Sequence, residues 1–313
     1  MWAGAFVALW SSGFVGAVLA EPAGSVAGVL AWRYLVTAAL LIGLVLATGR
    51  RRRIGARTIA QQATLAVLAH VVFLGGVFGA SAAGVDAGTV ALVCALQPML
   101  VMIGGRVGWG DRLLLRQAVG LALGVVAVGI SAGFSGNGGP AIVLPVASVI
   151  GLSAAALLER RWQPPVDVVT SLSIQVVCAA LVFTVFATAT GSLGIALSVG
   201  TVGALAWLVG LSGLGGYLTF LACLRRLGGS ATSLLLYVTP PVTMIWAWIM
   251  FAQRPTIVGW AGLALGAVGV LLAWPDTQSR RRDDVDGPGT EGVPAPSRDR
   301  RARGSVSVGE VSG

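Results

Sequence analysis

Few residues of this sequence could do chemistry in an apolar setting, and they are widely spaced. Arg33 is the basic residue drawn most clearly into an apolar segment, and His70 is the sole histidine. A guanidinium can bind a carboxylate or another anionic group, and an imidazole exchanges protons closest to neutral pH. The alternatives are that Arg33 reaches water at the end of its segment and that His70 is hydrogen-bonded to a neighbouring helix.

Two prolines interrupt apolar segments near their centres. Pro98 and Pro240 each remove a backbone N–H and free a carbonyl one turn earlier. A freed carbonyl in an apolar surrounding must face protein or water. Gln97 and Thr239 place a polar side chain immediately before each proline. These positions therefore predict a binding site, with a purely structural kink as the alternative.

Further polar or aromatic side chains within apolar segments are candidates for the same site, although aromatic residues there more often pack or anchor a helix. The carboxylates before residue 275 lie near the ends of apolar segments, and the three cysteines have no metal-ligand spacing. We therefore predict no catalytic residue, no metal site and no cofactor. The additional candidate substrate-binding residues are Trp10, Ser12, Gln175, Tyr217 and Tyr237.

The composition places these residues on membrane-spanning helices. The chain has 313 residues, of which 56% are hydrophobic and 11% are charged, and its mean hydropathy is +0.87. Soluble proteins average about 25% charged residues. Apolar segments of about 17–25 residues, the length that crosses a bilayer, predict an all-α polytopic membrane protein. Its ten predicted helices lie at 2–20, 26–48, 59–80, 88–108, 113–133, 142–158, 167–189, 200–224, 230–251 and 256–274.

The sequence also predicts an internal duplication with a spacing of 142 residues. Gly120–Val128 and Gly262–Val270 are identical at seven of nine positions. Shared membrane composition alone could explain such a match, so rarer residues are the better test. The same ungapped shift aligns Pro22 with Pro164, Arg33 with Gln175, Gln97 with Thr239 and Pro98 with Pro240.

Each copy contains five predicted helices, an odd number, so the second copy must be inverted in the membrane. We predict residues 1–133 and 142–274 to be two inverted repeats that enclose one pore. Residues 275–313 are poor in hydrophobic residues and rich in Arg, Asp, Gly, Pro and Ser. This composition cannot bury a core and predicts a disordered tail in the cytoplasm.

The arginines predict the orientation of the chain. All of its basic residues are Arg, and the net charge is +9. With the N-terminus inside, twelve arginines fall in inner loops and Arg254 alone falls in an outer loop. Cytoplasmic loops collect Arg, so both termini are predicted to be cytoplasmic, in the cell membrane. The positive charge serves topology, and no nucleic-acid partner is predicted.

Three segments together resemble one transporter family. They are WSSGFVGAV at 10–18, GGSATSLLLYVTPPVTMIWAWIM at 228–250 and GWAGLALGAVGVLL at 259–272. In this order, and with the duplication, they resemble the EamA family of the drug/metabolite transporter superfamily over residues 2–274. One departure is that the family often has Gly-Glu after the fourth and ninth helices, where this chain has Asp111 and Gln253.

The resemblance implies a secondary transporter that moves a small metabolite across the cell membrane by alternating access, in the direction of export, without enzymatic activity. An amino acid, another carboxylate-bearing solute or a drug-like compound would fit as substrate. The expected partners are this small molecule and the lipid bilayer, and the glycine-rich final helices allow a homodimer.

Two other functions fit parts of the sequence. Gly210–Gly213 reads GLSG, which together with His70 resembles the serine and histidine of an intramembrane protease. In such proteases the serine precedes the histidine, whereas here the order is reversed, and tight helix packing explains the glycines more simply. A membrane scaffold without transport activity is the second alternative, and only a flux assay separates it from a transporter.

Overall fold

Helices make up the regular structure of the chain. The structure is a computed structural model, and it describes residues 1–48, 54–111, 115–134, 139–254 and 257–273. No strand is present in these ranges. The all-helical prediction is therefore confirmed for the described residues, whereas the predicted disordered tail at 275–313 lies outside them.

The helices of the first half agree in position with the first five predicted spans. A π-helical segment, Val67–Val72, joins α3 to α4 without a break, so that Ala56–Ala82 forms one continuous span. The helices are α1 Trp2–Leu19, α2 Val26–Ala47, α3 Ala56–Ala66, α4 Phe73–Ala82, α5 Ala87–Cys94, α6 Gln97–Trp109 and α7 Leu115–Phe134.

The second half has a similar order of elements, except that one helix, α11, takes the place of both α4 and α5. A second π-helical segment, Trp207–Gly215, joins α10 to α11. The helices are α8 Val143–Trp162, α9 Val168–Ala189, α10 Val199–Ala206, α11 Gly216–Tyr237, α12 Thr239–Phe251 and α13 Ile257–Ala273.

Seven helical stretches among the described residues are long and apolar enough to cross a membrane, which makes this a multi-pass membrane protein. The helices α7, α12 and α13 occupy the other three predicted positions, so ten spans stay a prediction. The seven stretches are Trp2–Leu19, Val26–Ala47, Ala56–Ala82, Ala87–Trp109, Gly139–Trp162, Val168–Ala189 and Val199–Leu227.

The starts of α2 and α9 are set by side-chain caps. The Ser25 hydroxyl accepts a hydrogen bond from the Gly28 N–H at 3.0 Å. The Asp167 carboxylate accepts from the Val169 and Thr170 N–H groups, both at 3.1 Å. Such caps satisfy N–H groups that the first helical turn leaves without a partner.

Pro98 and Pro240 lie where helices break. The helix α5 ends at Cys94 and α6 begins at Gln97, while α11 ends at Tyr237 and α12 begins at Thr239. Each proline occupies the first turn of the new helix, a position that does not require its missing N–H. The prolines thus begin a second helix in each span.

Helices of the first half pack in pairs with helices of the second half. The helix α2 lies along α9, and α7 lies along α13. The residues around Ser25, at the start of α2, contact the residues that follow the end of α9, so these two helices run antiparallel. Fully buried apolar side chains from both halves, including Leu30, Ala179 and Leu208, share one core.

Candidate functional site

A cavity of about 630 Å³ lies between the two halves, and its wall combines aromatic and polar side chains. Ligand cavities in proteins are commonly about 300–1,000 Å³, so the space suits a small solute. Six of the eleven residues proposed from the sequence line it: Trp10, Arg33, His70, Gln97, Gln175 and Tyr217.

The other five proposed residues lie outside the lining of the cavity. The Ser12 hydroxyl donates to the Leu9 carbonyl of its own helix at 2.6 Å. The Thr239 hydroxyl donates to the Leu236 carbonyl, the group that Pro240 frees, at 2.5 Å. Tyr237 packs against Met99. Pro98 and Pro240 shape the broken helices without contributing a hydrogen-bond donor.

Arg33 is the charged group deepest in the site. It lies seven residues into α2, and only 8% of it is exposed. Its guanidinium carbon is 5.8 Å from the centre of the Tyr34 ring and 5.9 Å from that of Phe78. The Nη1 atom is buried without a hydrogen-bond partner, and no described carboxylate forms an ion pair with the side chain. Burying an unpaired charge is costly, so the guanidinium is suited to bind an anionic group that enters the cavity.

A chain of hydrogen bonds crosses the cavity wall beside Arg33. The Tyr34 hydroxyl lies 2.9 Å from His70 Nδ1, and His70 Nε2 lies 3.1 Å from Gln175 Oε1. Gln175 Nε2 then donates to Gln62 Oε1 at 2.7 Å, and the Ser171 hydroxyl donates to the same oxygen at 2.7 Å. The network thereby links α2, α3, α9 and the π-helical segment that carries His70.

The network defines the state of the imidazole. Gln175 Oε1 can only accept, so His70 Nε2 carries a proton. In a neutral ring Nδ1 is then the acceptor, and the Tyr34 hydroxyl donates to it. Both nitrogens of His70 are satisfied, as the hydrogen-bonded alternative from the sequence requires.

Sequence reasoning missed Tyr34, Gln62, Ser171 and Glu159, which also line the cavity. Glu159 lies near the end of its helix, as the sequence indicates, and it nevertheless reaches the cavity wall. Gln62 is 1% exposed although it lies in α3, the most polar of the described helices. The one feature of the sequence that pointed to any of these residues was the position of Tyr34 directly after Arg33.

Two loops contact each other where α2 begins and α9 ends, and none of their residues lines the cavity. Gly24 and Ile195 form an isolated antiparallel β-bridge, and the Ala196 N–H donates to the Ala23 carbonyl at 2.9 Å. The Ser25 hydroxyl donates to the Ser192 carbonyl at 2.9 Å. We call these two loops, residues 20–25 and 190–198, the seal.

Two glycines allow the seal to form. Gly24 has a φ of +150°, a conformation that side chains with a Cβ rarely adopt. Any Cβ at Gly28 would overlap the carbonyl oxygen of Ser192. The Trp32 indole N–H reinforces the contact by donating to the Leu193 carbonyl at 3.1 Å.

The opposite end of the cavity lies near the α8–α9 connection. Pro164 and Val166 of this connection line the cavity, as does Glu159 near the end of α8. Because α2 and α9 are antiparallel, this end is the one farthest from the seal. In the described conformation the two loops of the seal contact each other, and the cavity lining extends to the α8–α9 connection at the other end of the helices.

Comparison with known proteins identifies a similar transporter family. Residues 139–274 match the EamA-like transporter family. The family resemblance inferred from the sequence is thereby confirmed for this segment. EamA-like proteins are membrane transporters of the drug/metabolite type, not enzymes, which agrees with the multi-pass helical fold.

One solved structure, described only as a crystal structure of a protein, is similar to this chain with a TM-score of 0.64 and 17% identity. The similarity covers 87% of this chain and 96% of that one. At this identity the likeness shows the fold alone. No curated protein sequence matches the chain.

The two positions at which this chain departs from the EamA pattern have different contacts. The Asp111 carboxylate pairs with Arg160 at 2.7 and 3.3 Å, and hydrogen bonding from Arg160 lowers the pKa of Asp111. The guanidinium of Arg160 also lies 4.7 Å from the centre of the Trp109 ring. Gln253 instead accepts from the Ala87 N–H at the start of α5, at 3.4 Å.

The geometry disfavours the protease alternative. Ser212 and His70 both line the cavity, but a serine nucleophile needs its base within hydrogen-bond reach. Both ring nitrogens of His70 are occupied, by Tyr34 and by Gln175. In the described arrangement His70 therefore does not serve Ser212 as a base.

Proposed function

We propose that this EamA-like protein is a secondary transporter of the cell membrane that moves a small solute bearing an anionic group, such as a carboxylate, by alternating access and in the direction of export. The observation that carries the proposal is Arg33, a buried guanidinium that lines the cavity with an unpartnered Nη1 atom. A carboxylate would supply the opposite charge and would accept hydrogen bonds from the guanidinium in one planar contact.

The proposal treats residues 1–133 and 142–274 as inverted repeats, and the helix bounds support this. The helices α2 and α9 are offset by 142 residues at both ends, and so are α6 and α12. The caps at Ser25 and Asp167 have the same offset. Broken helices at matching places in two repeats commonly mark the substrate site of a transporter.

Alternating access is supported by the asymmetry of the cavity. The loops of the seal contact each other and do not line the cavity, whereas the lining extends to the α8–α9 connection at the other end. If the two inverted halves exchange conformations, the closed and open ends exchange as well. In the proposed orientation the seal faces outwards and both termini face the cytoplasm. Assembly as a homodimer stays a prediction.

The proposal is tested by flux measurements in proteoliposomes, using a panel of amino acids, other carboxylates and neutral compounds of similar size. A hydrogen bond to a charged group contributes about 1.5–3 kcal/mol, so Arg33→Gln is expected to lower kcat/KM for anionic solutes by about tenfold or more. Neutral solutes that are transported should lose much less. Arg254→Gln is the matched control, since Arg254 is absent from the cavity lining.

Absence of flux for every solute would contradict a transporter and favour a scaffold. An equal loss for anionic and neutral solutes in Arg33→Gln, at normal membrane abundance, would assign Arg33 a structural role instead of an anion-binding one.

A further inference from the structure

Two buried serines connect the first helix of each half to the broken helix of the other half. Ser11 of α1 donates from its hydroxyl to the carbonyl of Thr239, the first residue of α12, at 3.2 Å. Ser153 of α8 lies 3.4 Å from the carbonyl of Gln97, the first residue of α6. Exposure is 0% for Ser11 and 4% for Ser153.

The two contacts are related by the spacing of the repeats. Ser11 and Ser153 are 142 residues apart, and so are Gln97 and Thr239. The acceptors lie where the fourth span of each half is interrupted, and Gln97 itself lines the cavity. Each contact therefore ties the broken helix of one half to the other half.

The two contacts differ in strength in the described conformation. The Ser11 hydroxyl donates across the interface to Thr239. The Ser153 hydroxyl has a much closer acceptor in its own helix, the Val149 carbonyl at 2.6 Å, so its contact with Gln97 is the weaker part of a shared bond. Because the two halves are proposed to be inverted repeats, Ser153 would make the stronger contact across the interface in the opposite conformation, and Ser11 would make the weaker one.

We propose that Ser11 and Ser153 are positioning residues with opposite effects on the transport cycle, Ser11 stabilising the conformation closed at the seal and Ser153 stabilising the one open there. The inference rests on the proposed alternating access between inverted repeats. It predicts that removing either hydroxyl shifts the conformational equilibrium, and that the two shifts have opposite signs.

The experiment measures how fast a membrane-impermeant thiol reagent, added from the side of the seal, labels Thr37→Cys in the absence of any substrate. Thr37 lines the cavity and is 8% exposed. Cys94, Cys178 and Cys223 are replaced by Ala in the background. Interhelical hydrogen bonds in membranes average about 0.6 kcal/mol, so Ser11→Ala should raise the labelling rate about threefold and Ser153→Ala should lower it about threefold.

The neighbouring serines supply matched controls. Ser12 and Ser148 are fully buried on the same two helices, but each donates only to a carbonyl of its own helix. Ser12→Ala and Ser148→Ala should leave the labelling rate unchanged. The double variant Ser11→Ala/Ser153→Ala should return close to the background rate, and Ser11→Thr, which keeps a hydroxyl, should stay closer to it than Ser11→Ala.

Shifts of the same sign in both single variants, or shifts no larger than those of the controls, would overturn the inference. Flux is measured separately in the protein with its serines intact. If that protein transports a solute and the labelling rates do not diverge, the inference about the serines fails while the proposed function stands. If no solute is transported, the proposed function fails independently of the labelling.

Discussion

At the scale of single residues, Arg33 and His70 illustrate two ways in which a membrane protein accommodates a polar side chain. Both ring nitrogens of His70 have hydrogen-bond partners, the Tyr34 hydroxyl on one and the Gln175 amide on the other. Arg33 keeps a buried Nη1 atom without a partner. The first arrangement is typical of a structural residue, and the second is typical of a residue that binds a ligand.

The hydrogen bonds of His70 lead to a prediction about energy coupling. A proton carrier must release and regain its proton during the cycle, and doing so at His70 would break a completed network. We therefore expect flux in proteoliposomes to change less than about twofold when a pH gradient is imposed, a factor that corresponds to roughly 0.4 kcal/mol. His70→Gln, which keeps a donor and an acceptor, should be insensitive to the gradient in the same way.

Proton-driven accumulation of the substrate would contradict this prediction. If such accumulation disappeared in His70→Gln, His70 would be the coupling residue. If it persisted there, a carboxylate that reaches the cavity wall, such as Glu159, would become the candidate.

At the scale of the helices and loops, the seal depends on the absence of a side chain at Gly28. Gly28→Ala should prevent the start of α2 from approaching Ser192 and leave the seal partly open, so that Thr37→Cys is labelled from that side several-fold faster. Gly43→Ala on the same helix is the control, because no atom lies within 4 Å of the position of its Cβ. Equal labelling in the two variants would show that the seal tolerates a methyl group.

The two helix breaks give a second prediction at this scale. Pro98→Ala, and the double variant Pro240→Ala/Pro241→Ala at the two adjacent prolines of α12, supply the N–H groups that let the helix continue through each break, which would move Gln97 and Thr239. Each should lower kcat for transport by about tenfold, corresponding to about 1.4 kcal/mol. Pro22→Ala, in a short 3₁₀ turn at the seal end, should lower it much less. Small and equal effects of all three variants at matched abundance would make the prolines ordinary kinks.

The sequence predicted the helix breaks well and the faces of the helices poorly. Proline interrupts a helix for a local reason, so Pro98 and Pro240 could be located from the sequence alone. Ser11 and Ser12 differ by one position, and Ser12 was the one predicted to bind substrate, whereas the hydroxyl that contacts the other half is that of Ser11. A span that is apolar on every side carries no periodic signal to tell one face from another.

The polar network could not be predicted for a related reason. Gln62 and Gln175 are 113 residues apart in sequence, and their hydrogen bond depends on how α3 and α9 pack. The sequence identified Gln175 through its alignment with Arg33 in the duplicated half. Gln62 has no such marker, since its counterpart 142 residues later is Ala204.

At the scale of the whole molecule, the distribution of the arginines predicts how the chain is oriented in the membrane. Leu197, in the loop after α9, is 85% exposed, and a cysteine placed there should react with an impermeant reagent added outside intact cells. Gln163→Cys, in the α8–α9 connection, should react only after the membrane is opened. The reverse pattern would invert the proposed topology and place both termini outside.

The seal also bears on how this protein can diverge in sequence. In the bridge and in the hydrogen bonds between the two loops, main-chain carbonyls are the acceptors and main-chain N–H groups are some of the donors. Every residue has the carbonyl, and every residue except proline has the N–H. Random substitution at Leu193, Ile195 or Ala196 therefore leaves most of the closure intact, whereas Gly24 and Gly28 admit almost no replacement. A saturation library of this region, selected for transport, should return varied loop residues around two fixed glycines.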